Sequence, residues 1–197
     1  MAASLKLMKR YPEFLKFCVC GLFYQAGIAV VITLSAVYAQ LVMKFTTAQT
    51  ISLILVVNIT AAIGAFVFGY VQDRLGHKKT LALTILLWII MGVMAAFSQG
   101  PVTFWIAANI AGVAMGSSQS AGRAVVAVFA PAGELAQFYS AWNVAVWGAN
   151  VLGPITYGTV TWLTSGDQRT AILVTTLFFV IGLLILRRVR LPNQFAL

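Results

Sequence analysis

The side chains able to do chemistry are few, and they settle what the sequence excludes. It holds four carboxylates (Glu13, Asp73, Glu134 and Asp167), one imidazole, His77, and two thiols, Cys18 and Cys20. Covalent hydrolysis needs a nucleophile with a base beside it. No Gly-x-Ser-x-Gly elbow occurs, and the one imidazole sits among lysines in a short turn. A zinc-type centre draws on a set of His and Cys ligands that this chain lacks. The reading is therefore no catalytic residue, no metal and no cofactor. Cys18 and Cys20 lie two apart on a helix and point to different faces, as inert packing thiols do. What remains is charge gathered into one stretch, Gly69-Tyr70-Val71-Gln72-Asp73-Arg74-Leu75-Gly76-His77-Lys78-Lys79, and a set of amides and aromatics in apolar surroundings. The first suits electrostatic anchoring at a boundary. The second suits hydrogen bonding of a polar cargo.

The elements that must position these groups follow from the solvent. The sequence is 61% hydrophobic and 9% charged, with a mean hydropathy of +0.94. No charge occurs in 17–43, 45–72, 80–122, 135–166 or 170–186. A bilayer core about 30 Å thick takes about 20 apolar residues of helix to cross, and these reaches lack the polar outer face of a soluble domain. The expected fold class is an all-α polytopic membrane protein. Ser98-Gln99-Gly100-Pro101 is a breaker and divides the longest reach. Gly153-Pro154 lies inside 135–166, read as one long, kinked helix. Six spans result, about 17–40, 48–71, 80–98, 102–122, 137–163 and 170–187. Residues 1–16 form a basic leader into the bundle of 17–188, and 189–197 form a tail.

Basic residues orient the spans. Lys6, Lys9, Arg10, Lys16, Arg74, Lys78, Lys79, Arg123, Arg187, Arg188 and Arg190 fall on one side of a six-span chain, against Lys44 and Arg169 on the other. Both termini are thus expected in the cytoplasm, of a bacterial inner membrane, and the net charge of +9 reflects this bias. A nucleic-acid footprint needs a basic soluble face with stacking aromatics. No such domain is present, so the expected partners are lipid and a small solute.

The charged stretch joins spans two and three on the cytoplasmic side. Gly69 permits a close helix approach, Asp73 needs a partner at the membrane edge, and Gly76 suits a turn at positive φ. The basic trio suits an anionic leaflet. Gly, three residues, Asp-Arg, one residue, Gly and then basic residues resembles the signature loop of the major facilitator superfamily, with His77 where Arg or Lys is commoner. The resemblance implies a cytoplasmic latch made of Gly69, Asp73, Arg74, Gly76, Lys78 and Lys79; Arg123, expected at the same cytoplasmic edge, is read as the mate of Asp73.

A second resemblance covers about 11–188. Gly116-Ser117-Ser118-Gln119-Ser120-Ala121-Gly122-Arg123, Pro131, Phe138-Tyr139 and Leu152-Gly153-Pro154 are similar to the second half of the vacuolar-effluxer-like, autophagy-related branch, in its bacterial type. Two departures stand out. Tyr24-Gln25-Ala26-Gly27 lacks the acid that many relatives carry before the glycine, and the Lys near Trp147 is missing. The resemblance implies a six-helix half bundle built of two inverted three-helix repeats, spans one to three and four to six, though little identity links them. It also implies a second six-helix half or a homodimer partner.

In that family the first and fourth helices line a central cavity, and the second and fifth line its gates. Polar residues at depth mark the positions. These are Tyr24 and Gln25 in span one, Ser117 and Gln119 in span four, and Asn143, Trp147 and Asn150 in span five. Ser35 and Tyr38 share a face with Tyr24. Two plainer roles stay open: Gly112-x-x-x-Gly116 as a packing seam, and serines bonded to their own backbone. No acid lies at depth, so ion coupling would come from elsewhere. The expected function is secondary transport of a small polar solute by alternating access, with efflux of amino-acid-like solutes. The alternatives are a non-transporting subunit or fragment and, ranked last, an intramembrane enzyme.

Overall fold

A computed structural model describes Leu7 and residues 10–192. The basic residues Lys6 and Lys9 of the leader and the tail end, 193–197, lie outside the described residues. Six helices follow in order: α1 (Pro12–Leu41), α2 (Thr47–Leu75), α3 (His77–Phe97), α4 (Pro101–Phe129), α5 (Leu135–Leu163) and α6 (Gln168–Arg188). The helix starts have local causes. Pro12 and Pro101 occupy first-turn positions, where a missing N–H costs nothing. Thr46 and Gln49 form a capping box at α2, each satisfying the other's orphan amide. The Ser98–Pro101 break falls where the sequence places it, and 135–163 is one unbroken helix containing Pro154.

Several helix ends fall a turn beyond the expected spans, and one differs by two turns. Span four does not stop at Gly122; α4 continues past Arg123 to Phe129. Nothing at 122–123 breaks a helix, whereas Pro131 and Gly133 (φ 84°) do. Arg123 is therefore a helix residue and not a loop residue.

The two repeats are plain in three dimensions. Helix lengths run 30, 29 and 21 residues in α1–α3 and 29, 29 and 21 in α4–α6. A left-handed residue follows each repeat's first helix, Lys44 (φ 58°) and Gly133 (φ 84°), and another follows its second, Gly76 (φ 81°) and Gly166 (φ 97°). Packing repeats as well: α2 lies along α4 as α5 lies along α1, while α3 and α6 pair with each other. Trp88 and Phe179, each the twelfth residue of its helix, stack at 5.3 Å and 4° where α3 meets α6.

Lipid gives helices no hydrophobic reason to associate, so close backbone contact does much of the holding. At the α2–α4 seam Gly64 faces the Val113 backbone, Gly112 faces Val57 and Thr60, and Gly116 faces the Ala61 carbonyl. The α1–α5 seam has Gly153 on the Ala26 carbonyl and Phe17 stacked on Trp142 at 4.9 Å. Four helices (α1, α2, α3, α6) are long and apolar enough to cross a membrane by composition alone. In α4 and α5 the glycines, serines and amides that form seams and candidate sites dilute that apolarity.

Candidate functional site

The amides come first, since a side-chain amide at bilayer depth needs a partner. Gln25, 5% exposed, lies near the middle of α1. Gln119 of α4 donates from Nε2 to Gln25 Oε1 at 3.4 Å. Gln119 keeps partial exposure, so the pair ties the two central helices without being sealed off.

Its neighbours are structural. Ser118 Oγ accepts the Trp88 indole N–H at 3.2 Å. Ser117 is fully buried and donates to the Val113 carbonyl at 2.7 Å. Tyr24 is fully buried, its ring 6.2 Å from that of Trp142. Ser117 and Tyr24 therefore do not line an open cavity as expected. Ser117 sits under the helix contacts and returns its hydroxyl to its own backbone. Tyr24 fills space left by Gly122 and Gly182.

Asn143, Trp147 and Asn150 recur at three- and four-residue steps on α5, and all three are exposed; Trp147 is 67% exposed. Trp142, one residue before Asn143, turns to the buried side, and Tyr157, seven residues on from Asn150 along the same stripe, is buried as well. Tyr157 donates to Gln168 Oε1 at 2.6 Å. Two amides and an indole thus share a face that no helix of this chain covers.

A further space lies apart from these residues. A cavity of about 250 Å³ opens between the second half of α1 and the first halves of α2 and α4. Ser35, Tyr38, Asn58, Trp88, Met91 and Tyr157 are on its wall, and none of the seven proposed cavity residues is. Tyr38 donates to the Ala95 carbonyl at 2.8 Å and stacks on Phe104. The shared face of Ser35 and Tyr38 was the available signal. Asn58, exposed mid-helix, was the missed one.

The charged stretch is a helix end, a one-residue hinge and a helix start. Asp73 and Arg74 belong to the last turn of α2, Gly76 alone links the helices at φ 81° and ψ 160°, and Lys78 and Lys79 open α3. The turn expected of Gly76 is therefore present. Two other expected contacts are not made among the described residues of this chain. Gly69 meets nothing within 4 Å of an added Cβ, because no residue of α2 beyond Gly64 is buried. Asp73 and Arg123 form no ion pair; among the described residues the salt bridge is Lys16–Glu13, at 2.6 Å. Asp73 and Arg123 are both exposed. Arg123 stands six residues before the end of α4, about 9 Å up the helix. Lys78 turns inward and donates to the Val189 and Arg187 carbonyls at 2.6 and 3.1 Å.

Comparison with known proteins agrees with this architecture. The family described as vacuole effluxer Atg22 like matches residues 1–194. The uncharacterized MFS-type transporter YxiO of Bacillus subtilis is 25% identical over 186 residues, 94% of this chain and 43% of that protein. Among solved structures, the fucose:proton symporter FucP of E. coli superposes with a TM-score of 0.81 at 18% identity, covering 98% of this chain and 46% of its own. The E. coli xylose transporter XylE, inward open, gives 0.75 at 19%, covering 92% and 48%. The chain thus spans about half the length of the relatives it matches.

Proposed function

The chain belongs to the vacuole effluxer Atg22-like family and has the six-helix fold of one half of a major facilitator transporter; from that premise we propose that it works as half of a secondary transporter. It is an integral membrane protein whose relatives are transporters and not enzymes. In this reading it rocks against a second six-helix unit, another chain or a second copy, and passes a small polar solute between them. Both termini face the cytoplasm of a bacterial inner membrane, as the basic residues favour. The family description favours outward movement, and amino-acid-like solutes fit the neutral amides of the Gln25–Gln119 pair and the open α5 face.

One observation carries the proposal: Gln25 and Gln119 meet across α1 and α4 while Asn143, Trp147 and Asn150 stand on an uncovered face of α5. Amides there gain from a polar partner that this chain does not supply.

The test begins with the native mass of the purified chain in lipid nanodiscs, with co-purifying partners identified. A stable pair, or a complex with a second six-helix protein, is expected. Vesicles holding that complex and loaded with labelled neutral amino acids should then lose label faster than empty ones. A monomer without partner, or flux equal to that of an Asn143→Leu, Asn150→Leu variant, would remove the proposal in favour of a non-transporting subunit.

A further inference from the structure

The geometry points to Lys78 and Arg169 as an equivalent pair of positioning residues, each capping the C-terminal end of the other's helix. Each is the second residue of its helix, α3 or α6. Lys78 Nζ donates to the Val189 and Arg187 carbonyls at the end of α6. Arg169 Nη1 donates to the Ala96 carbonyl at the end of α3, at 3.0 Å.

A cation in the first turn is misplaced for its own helix, whose N-terminus carries partial positive charge. α3 and α6 run antiparallel, so each misplaced cation lies beside the other helix's orphan carbonyls. The unfavourable position on one helix becomes a cap on the other. The Trp88–Phe179 stack joins the same helices midway. At the cytoplasmic end Glu13 adds a third tie, its Oε2 accepting the Arg190 amide at 2.7 Å. Residues 187–190 are thus held through their carbonyls by Lys78 and through an amide by Glu13.

The signature stretch therefore divides by task. Lys78 is committed within the half and keeps α3 and α6 moving as one strut. Asp73, Arg74 and Lys79 are exposed and remain free for lipid or for the opposing half. The inference holds whether or not the chain transports.

Hydrogen exchange on the purified chain in nanodiscs tests it. Lys78→Gln should speed exchange of the 186–190 amides about tenfold, the scale of losing one charged hydrogen bond at a fraying end. Lys79→Gln should leave those amides unchanged. Arg169→Gln should speed exchange at 96–98 and spare 186–190, so the opposite end decides the matter if Lys78→Gln fails to fold. Equal effects of Lys78→Gln and Lys79→Gln, or a uniform rise with Arg169→Gln, would overturn the assignment.

Discussion

Gln119 reaches across from α4 and donates a hydrogen bond to Gln25 of α1 at 3.4 Å, joining the central helices of the two repeats. The bond is long and one partner is partly exposed, so it is open to exchange for a polar ligand. Interhelical hydrogen bonds in membranes average about 0.6 kcal/mol and reach about 1.7. Gln119→Leu should therefore lower stability by no more than about 1.7 kcal/mol. It should cut flux about tenfold, as loss of one cargo contact worth about 1.4 kcal/mol would. Thermal midpoints and vesicle flux, measured on the same preparation, separate the two effects; a parallel collapse of both would make the pair purely structural.

The glycines of the α2–α4 seam give a sharper contrast. A Cβ on Gly116 would run into the Ala61 carbonyl carbon and oxygen, which are backbone and cannot swing away. On Gly69 it would meet nothing. Gly116→Ala should force the helices apart and cost about 1–3 kcal/mol, the range for overpacking a tight contact. Gly69→Ala in the isolated chain should change stability by less than about 0.5 kcal/mol. If Gly69→Ala blocks transport only once the second half is present, the close approach expected of Gly69 belongs to that interface.

Gly76 is the single-residue hinge between α2 and α3, at φ 81° and ψ 160°. A side chain there has ample space, so any penalty comes from the backbone alone. Residues held in such glycine-only regions cost about 1–3 kcal/mol. Gly76→Ala should therefore lower the thermal midpoint although it creates no clash. An unchanged midpoint would show that the turn relaxes into another conformation.

The sequence disclosed most of the architecture because bilayer thickness and charge placement act residue by residue. Five charge-free reaches and the Ser98–Pro101 break locate all six helices, and Gly76 shows its turn. The inverted repeat was implied by the family resemblance and not by the residues themselves, because it lives in lengths, φ values and partner choice: Trp88 and Phe179 hold equivalent positions with different side chains, as do Lys78 and Arg169. Periodicity also cannot tell a polar residue facing open space from one facing a neighbour. Tyr24 and Asn143 are both polar at depth, yet Tyr24 is fully buried and Asn143 exposed. The Asp73–Arg123 pair is not formed among the described residues; α4 extends two turns past Gly122, which sets Arg123 within a helix and not in a loop.

The start of α6 should respond to acid. Asp167 is its N-cap, accepting the Arg169 amide at 2.9 Å and the Thr170 hydroxyl. The Thr170 hydroxyl first, then backbone N–H donors and the nearby Arg169 charge, hold its carboxyl below the usual aspartate range. A carboxyl whose pKa is lower folded than unfolded stabilises the fold above its unfolded value, and this is lost as pH falls through the folded value. Protection of the 168–171 amides should thus be constant from pH 7 down to about 5, and decline below the ordinary aspartate pKa of about 3.9. Asp167→Asn keeps a capping oxygen without the charge. It should retain most of the protection at neutral pH and lose the acid response. Asp167→Ala should lose both, and α6 should then fray first at the end where Arg169 reaches across to α3. An acid response persisting in Asp167→Asn would place the titrating group elsewhere.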